Sequence, residues 1–258
     1  MPAAPNPYAS VEAALVGTPF AQVRYLTETA STNEDASALL GQAESGGLTI
    51  VADHQTTGAG RKGRSWLARP GSSLLFTTIL PEAFPATNLW AVPFWTALAV
   101  RAGLAACGIE TDLHWPNDLL VGPRKIAGIL CASRISGPRA HVACGVGINV
   151  TRTPEAKAEI APAPAFCDDV APVDRVELLA TILTQFASSL TMLDGPQRVA
   201  RRWETAAGFP GKRYCILLDG ASKPFEAEAI ALATGGSLVV DRNGTRETIA
   251  LADARALR

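Results

Sequence analysis

The chain has 258 residues, of which 48% are hydrophobic and 18% are charged, and its formal net charge is −1. This length can bury a large core plus a small second domain, and the near-neutral charge excludes a general attraction to nucleic acid or anionic membrane. Five cysteines without C-x-x-C spacing predict reduced thiols in the cytoplasm, and three scattered histidines disfavour a zinc site or a serine triad. No signal peptide and no uninterrupted apolar span of about 18 residues is evident, so we expect no membrane helix.

The first two thirds of the chain read as a mixed sheet with helices on one side. Residues 31–34 (Ser-Thr-Asn-Glu) form a capping-box pattern, which predicts a helix from there to about residue 43. The other predicted elements are a short helix at 10–16, strands at 22–26, 48–53 and 74–80, a helix at 89–107, a hairpin-like pair at 112–115 and 125–135, and a strand at 141–150.

The pattern changes in the last third of the chain. A loop rich in Pro and Ala at 151–172 precedes a helix capped by Asp174, and a second helix follows at 197–206. From Gly208 onward, short strand-like runs are separated by Asp-Gly, Gly-Gly and Asn-Gly turns, which is typical of a small all-β domain. These runs are 214–218, 225–232, 237–241 and 247–251. We therefore predict a domain at 1–208 and a small C-terminal domain at 209–258.

The segment Gly58–Arg64 contains three glycines and three cations in seven residues, a composition suited to binding an anion. Its glycines satisfy G-x-G-x-x-G, the fingerprint of dinucleotide-binding dehydrogenases. That fingerprint opens a helix, whereas Pro70 and Gly71 mark a loop here, and no Gly-Lys-Ser/Thr closes the segment as in a phosphate-binding loop. Taken alone, the segment is equally consistent with a solvated basic turn.

Three further segments are ambiguous when each is read alone. Residues 31–33 (Ser-Thr-Asn) suit a helix cap, and residues 114–118 (His-Trp-Pro-Asn-Asp) suit a turn. Lys125 begins the apolar run Lys-Ile-Ala-Gly-Ile-Leu, where a solvated lysine at a strand end is the simple interpretation.

Together and in chain order, these segments resemble the signatures of the biotin protein ligases, in the form that lacks an N-terminal DNA-binding domain. The resemblance covers about residues 23–149, and Ala59 is a departure because many members carry Arg there. The matching segments are 31–33, Gln55 with the loop through Trp66, 115–118, 125–130 and 145–149 (Gly-Val-Gly-Ile-Asn). The resemblance implies an α+β fold of the class II synthetase-like biotin/lipoate ligase type, with a small C-terminal SH3-like β-barrel.

The resemblance also implies a reaction. Biotin is activated with ATP and Mg²⁺ to biotinyl-5′-AMP and then transferred to a lysine of a biotin carboxyl carrier domain. Lys125 and Arg61 are the implied catalytic residues, and Asp118 is the candidate metal residue, with Mg²⁺ held mainly by phosphates and water. The implied biotin-binding residues are Ser31, Thr32, Asn33, Gln55, Gly58, Ala59, Gly60, Arg61, Lys125 and Gly128. The implied ATP- or adenylate-binding residues are Arg61, Arg64, Trp66, Asn117, Asp118, Lys125 and Asn149.

Three alternative functions compete with this interpretation. A lipoate or octanoate ligase or transferase shares the fold, but the loop beside Gln55 resembles the biotin signature. A biotin-responsive repressor needs a DNA-binding domain for which the N-terminal residues leave too little length, and a dehydrogenase would depend on G-x-G-x-x-G alone. We expect no nucleic-acid or membrane partner, and a homodimer is compatible with the sequence.

Overall fold

The computed structural model describes residues 6–153, 163–251 and 254–257. The larger of its two sheets has the strand order β1-β2-β3-β8-β7-β6-β5, with β4 paired to β8. Its strands are β1 (Val23–Thr29), β2 (Thr49–Gln55), β3 (Ser73–Ile79), β4 (Phe84–Pro85), β5 (Asp112–His114), β6 (Asp118–Val121), β7 (Arg124–Ser136) and β8 (Arg139–Asn149). Strands β1 and β2 are parallel, and the other neighbours are antiparallel, so the sheet is mixed as predicted.

Helices cover the two faces of this sheet unequally. They are α1 (Ala9–Ala14), α2 (Thr32–Leu39), α3 (Val92–Ala106), α4 (Arg175–Ser189) and α5 (Pro196–Ala207). The four helices other than α2 pack on the face that includes Val51, where the rings of Trp95 and Phe186 lie 4.6 Å apart. The short α2 packs on the opposite face, where Ala36 lies in a separate small cluster with Ile50. Because α2 is only eight residues long, much of that second face is left for a binding site.

Two local predictions fail at α2, and at its start a tertiary partner replaces the local cap. Ser31 precedes α2 but its side chain makes no capping hydrogen bond, and the helix ends at Leu39 rather than near residue 43. The N–H of Thr32 donates instead to Gln55 Oε1 at 2.7 Å, so a side chain from β2 satisfies the helix start. The predicted cap at Asp174 is confirmed, since its Oδ1 accepts from the N–H groups of Val176 and Glu177.

The predicted pairing of 112–115 with 125–135 is wrong. The four-residue strand β6 lies between β5 and β7 and pairs with both. Its sequence, Asp-Leu-Leu-Val, is too short to be distinguished from the preceding turn by periodicity. The predicted loop at 151–172 includes residues 154–162, which lie outside the described residues.

The C-terminal residues form a second, antiparallel sheet in the order β12-β11-β10-β9-β13. Its strands are β9 (Arg213–Leu218), β10 (Phe225–Leu232), β11 (Leu238–Arg242), β12 (Thr245–Ile249) and β13 (Ala254–Leu257). Four were predicted; β13 was missed because Ala-Arg-Ala-Leu has little strand propensity. The predicted fold class, a mixed sheet with helices plus a small β unit, is confirmed. The prediction that all helices lie on one side is wrong for α2, which packs on the opposite face. The exact domain boundary stays a prediction.

The two sheets share one hydrophobic core. Trp115 donates from Nε1 to the carbonyl of Gly236 at 3.1 Å, and its backbone N–H donates to the hydroxyl of Tyr214. Trp203 of α5 and Phe209 pack edge to face with centroids 5.4 Å apart. The tryptophan of the 115–118 segment therefore anchors the second sheet to the first.

Two helical stretches in the described ranges, 86–106 and 175–194, are long and apolar enough by length and composition alone to cross a membrane. Both contribute to the shared core, with Phe94 and Leu183 fully buried. Core packing accounts for their apolar composition.

Candidate active site

A cavity of about 240 Å³ lies on the α2 face of the large sheet, beneath the segment 58–66. We call this segment the glycine-arginine loop. Of the residues implied by the resemblance, all but Gly58 and Asp118 line this cavity. They are Ser31, Thr32, Asn33, Gln55, Ala59, Gly60, Arg61, Arg64, Trp66, Asn117, Lys125, Gly128 and Asn149. Segments up to 118 residues apart thus meet at one place, and their individual ligand roles stay predictions.

Four polar side chains form a connected chain at one wall of the cavity. Gln55 Oε1 accepts from both the backbone N–H and the hydroxyl of Thr32, at 2.7 and 2.9 Å. The hydroxyl of Thr77 lies 2.9 Å from Thr32 Oγ1 and 3.0 Å from Asn33 Oδ1, and Asn33 Nδ2 donates to the carbonyl of Leu130. Because Thr32 and Thr77 are buried, these bonds fix the rotamers of the polar wall.

The glycine-arginine loop closes on itself as a small hairpin. The N–H of Trp66 donates to the carbonyl of Gly58 at 2.8 Å, and the N–H of Gly60 donates to the carbonyl of Arg64 at 2.6 Å. A Cβ on Gly58 would lie 2.7 Å from the carbonyl oxygen of Trp66, so glycine is required for this close approach. The tip of the hairpin is a single turn at Arg61–Gly63.

The indole of Trp66 lies against β7 and β8 at two glycines. A Cβ on Gly147 would meet Trp66 Cε2 at 2.7 Å, and a Cβ on Gly128 would meet Trp66 Cζ3 at 3.1 Å. The ammonium of Lys125 is 5.3 Å from the indole centroid, within the range of a cation–π contact. The paired glycines therefore let an aromatic surface and a cation share one part of the cavity.

Lys125 and Asp118 form a close ion pair, with Nζ 2.6 Å from Oδ1 and side chains only 19% and 10% exposed. The carboxylate holds the ammonium in place, so Lys125 presents a fixed positive charge to the cavity. Asp118 itself does not line the cavity, and it contacts Lys125, which does. The described residues contain no group of three or more His, Cys, Asp or Glu side chains suited to a metal ion.

Two asparagines hold the backbone of the cavity wall. Asn149 Nδ2 donates to the carbonyls of Lys125 and Ala165, at 3.3 and 3.1 Å, and Asn117 Nδ2 donates to the carbonyl of Ile129 at 2.8 Å. The amide nitrogens of both are thus engaged with protein. If Asn149 reads an adenine edge as the resemblance implies, its amide oxygen is the atom that would do so.

The guanidinium of Arg61 donates from Nη2 to the carbonyl of Leu251 at 2.7 Å. Burial and the nearby Arg64 lower the pKa of Arg61, while Asp118 and Asp219 oppose that shift. Arginine remains protonated in proteins, and a guanidinium has five N–H donors, so Arg61 can hold an anion while keeping this backbone bond.

A second cavity of about 330 Å³ lies on the other side of the loop. Gln55, Trp66 and Asn149 line both cavities, and Gly58 and Phe166 line only the second. A ligand longer than the first cavity would therefore extend past Trp66 and Asn149 into the second.

Several lining residues were not identified from the sequence as site residues. They are Ser65, Leu67, Leu75, Thr77, Ile129, Leu130, Gly145, Val146, Gly147 and Pro164. Leu75 and Thr77 on β3, and Gly145, Gly147 and Asn149 on β8, stand at alternate positions and so share one face of the sheet. Strand periodicity could have paired Gly145 and Gly147 with Asn149, but nothing in the sequence shows that β3 is their neighbour.

Comparison with known proteins identifies the family. Residues 24–149 match the model of the biotin/lipoate A/B protein ligase family. The chain is 30% identical over 263 residues to a biotin–[acetyl-CoA-carboxylase] ligase of Mycobacterium tuberculosis, covering 94% of this chain and 91% of that protein. The chain belongs to the biotin protein ligase family. A bifunctional ligase/repressor BirA of Bacillus spizizenii is 36% identical to the chain over 124 residues. These residues make up 47% of the chain and 38% of the Bacillus spizizenii protein.

Solved structures agree on the fold. A biotin protein ligase from Aquifex aeolicus in complex with biotin and ATP superposes with a TM-score of 0.73, at 23% identity, over 92% of this ligase-family chain and 99% of that chain. The C-terminal antiparallel sheet is therefore part of the shared fold. The family model does not include this sheet, because it matches only residues 24–149.

Proposed function

We propose that this protein activates biotin with ATP and transfers it to a lysine of a biotin carboxyl carrier domain. The observation that carries the proposal is that a fixed polar wall and the cations Lys125 and Arg61 line the same cavity. A ligand with a polar ring and an anionic tail fits that distribution. The name of the Mycobacterium tuberculosis relative, a biotin–[acetyl-CoA-carboxylase] ligase, supports the same acceptor.

The polar wall favours biotin over lipoate. The ureido group of biotin has two N–H donors and a carbonyl acceptor, which suit the hydroxyl and amide groups of Ser31, Thr32 and Asn33. The dithiolane ring of lipoate carries no comparable groups. Where lipoate covers one of these polar groups without offering it a hydrogen bond, the cost is about 1–3 kcal/mol for that group.

In the first step, a carboxylate oxygen of biotin attacks the α-phosphorus of ATP. An oxygen–phosphorus bond forms, the bond to the bridging oxygen breaks, and pyrophosphate leaves. Both reactants are anionic, so a fixed cation at the point of attack offsets their repulsion and stabilises charge that develops at the phosphorus. Lys125 suits this role because Asp118 and the Trp66 ring hold its ammonium at the cavity.

ATP enters as its Mg²⁺ complex in this proposal. The described lining of the cavity contains no Asp or Glu, and Asp118 is already paired with Lys125. Phosphate oxygens and water would supply most of the ligands, as is usual for this ion.

In the second step, the neutral ε-amine of the carrier lysine attacks the acyl carbon of biotinyl-AMP. A C–N bond forms, AMP departs with the bond electrons, and the amine loses a proton. The adenylate must be kept from water until the carrier arrives, and the glycine-arginine loop over the cavity serves that purpose. We place the reaction in the cytoplasm, because all five cysteines are free thiols.

The decisive assay mixes the protein with Mg²⁺, ATP and either biotin or lipoate, and detects the acyl-adenylate by mass spectrometry. We expect biotinyl-AMP, and biotinylation when a carrier domain is added. Lipoyl-AMP without biotinyl-AMP would overturn the proposal in favour of the lipoate alternative. Neither product, from protein whose melting temperature confirms folding, would reject both.

A further inference from the structure

The tip of the glycine-arginine loop contacts the C-terminal sheet through two consecutive cations. Lys62 Nζ lies 2.6 Å from Asp219 Oδ2, and Arg61 Nη2 donates to the carbonyl of Leu251 at 2.7 Å. The partners are 157 and 190 residues away along the chain. The small β unit therefore touches the loop that covers the cavity, although none of its described residues lines the cavity.

The contact depends on an uncommon backbone conformation. Lys62 has φ 57° and ψ 41°, in the left-handed region that side-chain-bearing residues seldom adopt. Such a conformation persists where surrounding contacts hold it. On the other side, Asp219 lies in the turn between β9 and β10, where the N–H of Ala221 donates to the carbonyl of Leu218 and Gly220 has φ 79°. Both partners of the ion pair thus stand on turns that direct them toward each other.

We propose that Asp219 is a positioning residue of the active site. Its carboxylate holds Lys62 and thereby keeps the loop over the cavity, with Arg61 at the cavity wall, while the adenylate is bound. The proposal rests on the proposed function for its ligand, since the loop must retain biotinyl-AMP between the two steps. Asp219 acts through Lys62 and touches no reacting atom.

Charge explains why an acid is useful at this point. Arg61, Lys62 and Arg64 place three positive charges in four residues, and their mutual repulsion favours an open tip when no anion is present. Asp219 compensates one of these charges without occupying the cavity. Arg61 and Arg64 therefore stay available to the phosphate of the adenylate.

The test compares Asp219→Asn with wild type in the release of preformed biotinyl-AMP. Lys62 and Asp219 are 26% and 50% exposed, and exposed ion pairs contribute little, so we expect release to be about two- to fivefold faster at low salt. The difference should become smaller near 1 M salt, where the screening length falls to about 3 Å. The matched control is Glu226→Gln, which removes an exposed acid of the same sheet that lies 3.7 Å from Arg213.

Charge exchange separates positioning from a general effect on folding. Each single variant, Lys62→Asp or Asp219→Lys, should release biotinyl-AMP faster than wild type. The double variant Lys62→Asp with Asp219→Lys should restore slow release. Unchanged release in Asp219→Asn, or an equal effect of that change when Lys62 is already Ala, would overturn the proposal.

A ligand-free measurement keeps this inference separable from the proposed function. Trypsin cleaves after Arg61, Lys62 and Arg64, so we expect the loop of Asp219→Asn to be cut about two- to fivefold faster than that of wild type or Glu226→Gln. Equal cleavage would contradict the ion pair's role even if biotinyl-AMP forms. If wild type forms no biotinyl-AMP, the proposed function fails, and the cleavage rates alone decide whether Asp219 holds the loop.

Discussion

Replacing Gly147 by Ala tests whether the indole of Trp66 forms part of the nucleotide site. The new methyl group would lie 2.7 Å from Cε2 and 2.8 Å from Cζ2 of the indole. Ordinary carbon–carbon contacts are about 3.5–4.0 Å, so the ring must move by about 1 Å. Trp66 belongs to a loop and is only half-buried, so the ring can yield, and we expect the free energy of unfolding to change by less than about 1 kcal/mol.

The effect should appear in ATP binding instead. Stacking of a base on an aromatic side chain contributes roughly 1–3 kcal/mol, so loss of even the smaller amount raises the KM for ATP about fivefold. The assay is biotin-dependent exchange of pyrophosphate into ATP, with ATP and biotin varied separately. A double-mutant cycle supplies the control, because Gly147→Ala should have no further effect on ATP binding once Trp66 is replaced by Leu.

Two results would refute this reasoning. An unchanged KM for ATP in Gly147→Ala would show that the indole does not contact the base. An equal increase in KM when Trp66 is Leu would show that the methyl group acts on the strand rather than on the ring.

Three further predictions concern charged groups. Lys125→Ala should reduce pyrophosphate exchange at least about 100-fold, as expected for removal of a group that stabilises developing charge; near-normal exchange would exclude its role. Arg61→Gly should speed release of biotinyl-AMP tenfold or more, since a hydrogen bond to a charged group contributes about 1.5–3 kcal/mol, and an unchanged dissociation rate would contradict this. Burial raises the pKa of Asp169, but hydrogen bonds from Arg152 and from the N–H of Phe166 outweigh burial and hold that pKa below its ordinary value. The stabilising contribution of the Asp169 carboxylate is therefore present above about pH 3.9 and is lost as the pH falls through its lower folded-state pKa. Denaturant titrations should show that Asp169→Asn is less stable than wild type at pH 7 and that this difference closes in acid. A difference in stability that does not depend on pH would refute this reasoning.

The family resemblance identified most of the residues that line the cavity, because each local pattern alone was ambiguous. Gly58–Arg64 was singled out by its glycines next to cations, whereas Lys125 and Asn149 were assigned through the resemblance. The resemblance then joined these segments in one family. Thr77 was not found, because a threonine within the apolar run of β3 is an ordinary strand residue until β3 is seen beside α2.

Tertiary contacts also changed the meaning of residues whose local structure was predicted correctly. Asp219 was predicted to stand in an Asp-Gly turn and does, but its ion pair with Lys62 is visible only after folding. Ser31 was predicted to cap a helix, yet Gln55 from β2 satisfies the helix start. Trp115 belongs to a matching segment, and its side chain anchors the second sheet.

The sequence by itself determined the residue types for an anion-binding cavity, the mixed character of the main sheet and the change to short strands after residue 208. These properties follow from composition, strand and helix periods and turn residues, all of which act over a few neighbouring positions. Only the tertiary structure decided that β6 lies between β5 and β7, that Trp66 lies on two glycines, and that the loop tip meets Asp219. Each depends on contacts between residues far apart along the chain, where packing and charge select the partner and no local pattern records the choice.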